Sequence, residues 1–217
     1  MANALCSDRI VEAIPVNNLY WQRADGTGGV QRLTESQNPQ YPASWHPSGK
    51  FLAFTENPIQ RVGATGSDVW ILPMEGDETS GWKPGKPTVF LNGLFAEDEP
   101  MFSPDGRWLA YSSNESGRFE VYVRPFPGPG GRWLISTSGG IFPTWSRKRS
   151  ELFYSNTELW SEAHFTPRPR QRGFDVHPDG DRFALAPFVE PTTTRQDKVV
   201  FIFNFFDELR RIAPSTK

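Results

Sequence analysis

The sequence predicts an all-β protein made of short antiparallel strands, and three observations carry that reading. Gly and Pro number 19 and 20 among 217 residues, about 18% against the roughly 12% of average composition, and both weaken helix interiors. The 17 Phe, 8 Trp and 5 Tyr residues favour pleated, half-buried surfaces and supply a large apolar area per residue. The third observation is internal: one strand-turn-strand text recurs along the chain, and a repeat period decides the architecture before any local assignment does.

Four segments align without gaps over their centres. They are Tyr41-Pro-Ala-Ser-Trp-His-Pro-Ser-Gly-Lys-Phe-Leu-Ala-Phe-Thr55, Glu99-Pro-Met-Phe-Ser-Pro-Asp-Gly-Arg-Trp-Leu-Ala-Tyr-Ser-Ser113, Phe142-Pro-Thr-Trp-Ser-Arg-Lys-Arg-Ser-Glu-Leu-Phe-Tyr-Ser155 and Gly173-Phe-Asp-Val-His-Pro-Asp-Gly-Asp-Arg-Phe-Ala-Leu185. The turn positions Pro47, Pro104, Arg147 and Pro178 are 57, 43 and 31 residues apart, straddling the forty-odd residues of a four-stranded propeller blade. A β-sandwich also uses short strands, but it does not predict the same turn text after the first strand of every group. The pattern therefore reads as a β-propeller-type array of about four blade-like antiparallel sheets.

Taken in order, 1–17 is an N-terminal extension, and 18–217 is a single repeat domain with units at about 18–40, 41–97, 98–140, 141–172 and 173–203. The first unit is a hairpin of Leu19–Arg23 and Val30–Leu33 across Asp25-Gly-Thr-Gly28. In the fuller units a strand ends at the repeat-turn residues Pro47 and Gly49, Pro104, Asp105 and Gly106, or Pro178, Asp179 and Gly180. Pro presets the first turn position there and Gly tolerates positive φ. The next strand, Lys50–Thr55 or Arg107–Ser113, is almost continuously apolar, as expected of a strand buried on both faces. A third follows at Asp68–Pro73 or Glu120–Pro125, and an outer one at Thr88–Leu91 or Arg132–Ser136. The links between third and outer strands, Gly76–Pro87 and Pro127–Gly131, read as Gly/Pro-rich connections. The unit at 141–172 is short of strands, with Glu158–Ser161 the candidate for one more and Pro167–Arg172 an extended connector. Lys198–Phe203 is the most apolar strand and is assigned to the last unit. A short C-terminal helix at about 204–213 follows from Asn204 as cap and from Phe205, Leu209 and Ile212 on one face, packed on the array or presented to another protein.

The text Ser103–Tyr111 with Val121–Pro125 resembles the WD40-like (PD40) repeats of TolB-type propellers. From Asn18 onward the chain is similar to the C-terminal propeller behind bacterial serine/threonine protein kinases, through Asn18–Thr27, Gly49–Glu56, Asp175–Phe183 and Val199–Leu209. No kinase element accompanies it: there is no Gly-rich phosphate loop, His-Arg-Asp or Asp-Phe-Gly. The resemblance implies a sensor or assembly platform held outside the cell membrane. TolB-type propellers usually have six or more blades, so about four sheets imply a small ring, an open arc, or a ring completed by another copy. An open arc would expose strand edges, and self-association into a homo-oligomer or domain-completed ring is the expectation.

Charge and composition remove several functions. With 23 basic and 25 acidic side chains the net charge is −2, without the basic footprint of a nucleic-acid binder. No apolar run approaches a membrane span, and Met1–Ile14 lacks a secretory-signal pattern. The single cysteine, Cys6, excludes an internal disulfide framework and a four-cysteine zinc site.

Chemistry-bearing candidates are few. Glu97, Asp98 and Glu99 precede a first strand and would sit at one mouth of the propeller channel. Such carboxylates suit Ca²⁺ with backbone carbonyls, although three acids in a row more often form a solvated loop; no other cofactor and no transition-metal site is expected. His46 and His177 each precede a turn proline in equivalent repeats, which favours a structural role over catalysis, and His164 lies in a polar connector without a sequence partner. Ser80 and Lys83 match a Ser-x-x-Lys spacing inside a Gly/Pro-rich insertion that reads as a flexible loop. The resulting expectation is a non-catalytic binding module for a protein or peptide. The alternatives are a hydrolase whose Ser/His site assembles only in space, with His46 or His177 as base, and a structural propeller fragment completed by self-association.

Overall fold

A computed structural model of the chain describes residues 16–23, 29–58, 66–77, 81–148, 151–156, 174–177, 183–185 and 198–202. The described residues contain strands, turns and connections and no helix. The helix expected at 204–213, the candidate strand at Glu158–Ser161, the connector Pro167–Arg172, His164, Ser80 and the turn Pro178-Asp179-Gly180 lie outside them.

The chain opens with a hairpin of β1 (Tyr20–Trp21) and β2 (Gln31–Arg32), with Tyr20 opposite Arg32. The first large sheet follows: β3 (Gln40–Trp45), β4 (Phe51–Glu56), β5 (Asp68–Asp77), β6 (Gly81–Pro84) and β7 (Thr88–Leu91). β3, β4 and β5 pair antiparallel in chain order. β5 is long enough to take two partners, β7 along Val69–Ile71 and β6 along Met74–Asp77. Here the structure corrects the sequence reading, which left Gly76–Pro87 as a connection and Lys83 in a flexible loop. Lys83 stands in a strand opposite Glu75. The neighbouring Trp82 packs against a cluster of Leu19, Leu33, Leu52, Phe54, Leu72 and Met74, so apolar burial draws the segment onto the free edge of β5.

The second sheet is regular: β8 (Glu97–Phe102), β9 (Trp108–Ser113), β10 (Glu120–Pro125) and β11 (Trp133–Leu134), hydrogen-bonded in chain order. The third contains β12 (Ile141–Trp145) and β13 (Leu152–Asn156). β14 (Phe174–Val176) and β15 (Phe183–Leu185) form a separate two-stranded sheet, and β16 (Lys198–Ile202) returns to pair with β13, Leu152 opposite Ile202 through Asn156 opposite Lys198. The sequence had placed this strand in the last unit; backbone pairing puts it in the third sheet, where it supplies a strand that the short third unit lacks.

The near-continuously apolar strands are buried on both faces as expected. Phe54, Leu109 and Phe153, from β4, β9 and β13, are fully buried, each contributing roughly 1.5–3 kcal/mol of burial. Their neighbours order the sheets. Ala53, Val69 and Ile71 of the first sheet meet Phe102 and Leu109 of the second. Ala110, Val121 and Val123 of the second meet Trp145, Leu152 and Tyr154 of the third, and Phe142 and Phe153 meet Phe174 of the β14–β15 hairpin. With the β1–β2 hairpin on the first sheet, apolar layers run face to face from sheet to neighbouring sheet, the arrangement of propeller blades.

The repeat turn shows why its residues recur. After β8 the Gly106 amide donates to the Ser103 carbonyl at 2.9 Å with φ at 72°. Asp105 Oδ1 accepts from the Ser103 hydroxyl at 2.6 Å and from the Arg107 amide at 3.1 Å. After β3, Gly49 has φ of 73° and its amide donates to the His46 carbonyl at 2.8 Å.

Candidate binding site between the first strands

The first strand of each of the three larger sheets carries an X-Pro pair at the same repeat position, Tyr41-Pro42, Glu99-Pro100 and Phe142-Pro143. In all three the ladder breaks nearby: register shifts fall between Pro42 and Ser44, between Asp98 and Met101, and between Ile141 and Thr144. Proline cannot donate to a neighbouring strand, and a bulge re-aims the residues around it. Glu99 and Phe142 are the two described non-glycine residues with positive φ, 58° and 56°, a conformation that costs energy and that concentrates at functional sites.

These bulges face one cavity of about 300 Å³, lined by Tyr41, Pro42, Ala43, Thr55, Asp98, Glu99, Pro100 and Phe142. Glu99 Oε2 accepts from the Phe142 amide at 2.6 Å and from the Ser112 hydroxyl at 2.9 Å. The indole N–H of Trp145 donates to the Met101 carbonyl at 2.9 Å, and the Phe102 amide donates to Ser44 Oγ at 3.2 Å. Hydrogen bonds between successive sheets thus hold the wall in place.

The acidic run does not precede the first strand as a loop but begins it, since β8 starts at Glu97, and its residues divide among different surroundings. Asp98 is half-buried and lines the cavity together with Glu99. Glu97 is only 7% exposed, and its Oε2 has no hydrogen-bond partner. Burial, followed by the charges of Asp68, Glu115 and Asp98, pushes its carboxyl up to about 7, with Arg132 opposing. Among the described residues no group of three or more His, Cys, Asp or Glu side chains is placed to hold a metal ion.

The histidines lie elsewhere. His46 Nε2 is 3.0 Å from the Gly106 carbonyl of the next sheet, and Nδ1 is 2.7 Å from Ser48 Oγ in its own turn. The ring packs edge-on against Phe51 and Phe102, with centroids 5.5 and 5.1 Å away. Both nitrogens are therefore engaged within a turn and an inter-sheet contact, and neither His46 nor Ser48 lines the cavity. His177 is exposed directly after β14, and Lys83 stands in β6, away from the cavity wall. The acidic residues were found by their charge; Tyr41, Thr55 and Phe142 were missed, although Tyr41 and Phe142 occupy the aligned column that Glu99 also fills.

No protein-family profile matches the chain. It is 31% identical over 96 residues to Tricorn protease homolog 1 of Streptomyces coelicolor, a match that covers 44% of this chain and 7% of that protein. It is 29% identical over 96 residues to an uncharacterized protein of Agrobacterium fabrum, covering 44% of this chain and 28% of that one. A solved structure assigned as TolB from Agrobacterium tumefaciens superposes at a TM-score of 0.55 with 21% identity, over 81% of this chain and 58% of that chain. The chain thus spans about half of the TolB structure and a smaller share of the curated relatives. Among the described residues no helix is long and apolar enough to cross a membrane. The sheets, their face-to-face order and this superposition agree: the chain has a TolB-type β-propeller fold.

Proposed function

We propose that the chain is a non-catalytic binding module whose cavity between β3, β8 and β12 receives a segment of a protein or peptide partner. One observation carries the reading. Three successive repeat units contribute the same aligned X-Pro position to a single concave wall, and a cavity of this size with a few fixed polar groups is the usual form of a recognition site. The contacts of His46 and Ser48 belong to the turn after β3, so this His/Ser pair does not stand in the cavity wall. Within a longer protein such a module would act as a sensor or assembly platform.

The test is capture of a displayed random peptide library by the full chain and by an Ala43→Trp variant. Ala43 is exposed in the cavity wall, so the indole fills the space without disturbing the buried core. Peptides retained by the wild-type chain and lost by the variant support the proposal. Equal retention by both chains sinks it.

A second reading, self-association, rests on the two ends of the stack. Among the described residues the hairpins β1–β2 and β14–β15 each present two strands to their neighbours, and short open edges invite pairing with another copy or with further sheets of a longer chain. Light scattering of the full chain at increasing concentration should give a mass above 24.6 kDa; a constant monomer mass overturns this reading.

A further inference from the structure

We propose that Trp45 of one copy docks against Ala184 of a second copy, joining the β14–β15 hairpin of one chain to the β1–β2 end of the other. This rests on the reading of self-association and adds the contact that makes it.

The chain already makes this contact twice within itself. In each of the three larger sheets the last residue of the first strand lies opposite a leucine: Trp45 opposite Leu52, Phe102 opposite Leu109 and Trp145 opposite Leu152. Residues directly opposite share a face of the sheet, and this face meets the preceding sheet. Phe102 joins a cluster with Ala53 of the sheet before it, and Trp145 joins one with Ala110. Both alanines are 0% exposed, and Phe102 and Trp145 are 4% and 3% exposed. Trp45 breaks the series at 49%. Its face is nevertheless an interface further along, where Leu19 and Leu33, beside the β1–β2 pairing, cover Leu52. An aromatic ring continuous with an apolar interface buries a large area once a partner covers it.

The matching half is exposed at the other end of the stack. Phe183-Ala184-Leu185 repeats the text Leu52-Ala53-Phe54 and Leu109-Ala110-Tyr111, and Ala184 is exposed where Ala53 and Ala110 are buried. Trp45 and Ala184 thus do not cover each other within one chain. Ala184 lies opposite Asp175 as Ala110 lies opposite Met101. The Trp145 indole donates to the Met101 carbonyl, so the Asp175 carbonyl holds the position of the acceptor for the Trp45 indole. The strands agree with this pairing. β14 and β15 carry the first- and second-strand text of a unit, whereas Leu19-Tyr20-Trp21 carries the third-strand pattern of Val69-Trp70-Ile71 and Val121-Tyr122-Val123. The two hairpins are complementary halves of one four-stranded sheet. A contact between unlike ends grows without limit unless its rotation closes a ring. With three larger sheets in each chain, two copies closed in this way make about eight sheets, the upper end of the usual range for propellers.

Sedimentation of the full chain over a dilution series is expected to give a species of twice 24.6 kDa. Trp45→Asp and Ala184→Arg alter exposed residues, so both should keep the wild-type circular dichroism and melting midpoint while each weakens association at least tenfold. If either loses the wild-type spectrum, Trp45→Ala and Ala184→Leu give the same comparison. Mixing the two variants is the decisive arm. The first retains Ala184 and the second retains Trp45, so one contact stays intact and a mixed dimer should form where neither variant associates alone. A mixture that stays monomeric overturns the inference. So does association that survives in both variants, which leaves self-association standing through strand edges alone. A mass that keeps rising with concentration overturns closure at two copies. A monomer at every concentration overturns this contact and the self-association reading together.

Discussion

The side chain of Glu99 accepts a hydrogen bond at 2.6 Å from the backbone amide of Phe142, a residue on the next sheet. The amide has no partner in its own ladder at this point, because pairing between β12 and β13 skips from Ile141 to Thr144. A carboxylate of one repeat thus replaces the hydrogen bond that a bulge in the following repeat removes. Glu99→Ala should therefore cost about 1–3 kcal/mol, the penalty for leaving a buried donor unmade. Glu99→Gln keeps an acceptor and should cost less. Urea unfolding of the two variants checks the order, and equal losses would show that the amide does not depend on this acceptor.

Glu97 should make stability depend on pH in a direction unusual for a carboxylate. Burial, with the charges of Asp68, Glu115 and Asp98, raises its folded-state value from the ordinary 4.5 to about 7. The unfolded chain ionises near the ordinary value, so the native state is progressively penalised as pH rises from there to about 7, and the full penalty persists above it. Glu97→Gln removes the titration. Above pH 7.5 the variant should be more stable than wild type by on the order of 2 kcal/mol, and near pH 4 the difference should vanish. Thermal unfolding across this range is the measurement; parallel curves for the two proteins would refute the assignment.

Glu120, only 2% exposed, behaves oppositely. Burial opposes its ionisation, but donors outweigh it: the Ser136 hydroxyl, the Gly139 amide at 3.0 Å and Arg118 Nε at 2.6 Å hold its carboxyl below the usual range. Its contribution is present above the unfolded value and is lost as pH falls through the lower folded one. Glu120→Ala leaves the Gly139 amide and the Ser136 hydroxyl without this acceptor and should destabilise by about 3 kcal/mol at neutral pH. The gap between variant and wild type should narrow on acidification below the unfolded value, as followed by tryptophan fluorescence.

The repeat-turn glycines should differ in what they tolerate. Gly106 and Gly49 share nearly the same positive φ, 72° and 73°. A Cβ on Gly106 would fall on the His46 imidazole, whereas on Gly49 the nearest atom is the Trp82 ring at 3.6 Å. Gly49→Ala should cost only the conformational penalty, about 1 kcal/mol. Gly106→Ala must also displace a ring bonded to its own carbonyl and should cost at least twice as much. Equal denaturation midpoints for the two variants would remove His46 as the cause.

What could be read from the chain follows from how local each signal is. The blade turns were legible because Pro104, Asp105 and Gly106 encode their own geometry within four residues. The buried second strands were legible because Phe51–Phe54 and Trp108–Tyr111 are apolar at almost every position. β6 was not, since Gly81–Pro84 shows no strand pattern and becomes a strand only because β5 overruns β7 and offers a free edge. The partner of β16 was equally hidden: a five-residue apolar strand suits any open sheet, and the choice of β13 depends on contacts far along the chain. In the site, Asp98 and Glu99 announced themselves by charge. Tyr41 and Phe142 did not, because an aromatic residue before proline reads as core packing until the bulge brings it to the cavity wall.

The return of β16 to β13 bears on how the molecule is made. The first two sheets are written in contiguous stretches of chain, so each can close soon after its last strand leaves the ribosome. The third cannot: β13 must wait for Ile202, with the whole β14–β15 hairpin synthesised in between. During that interval a strand with fully buried Leu152 and Phe153 has one edge unpaired, and non-local pairing of this kind is slow and exposed to aggregation. The third sheet is therefore the last of the three larger sheets to complete its backbone pairing as the chain is synthesised.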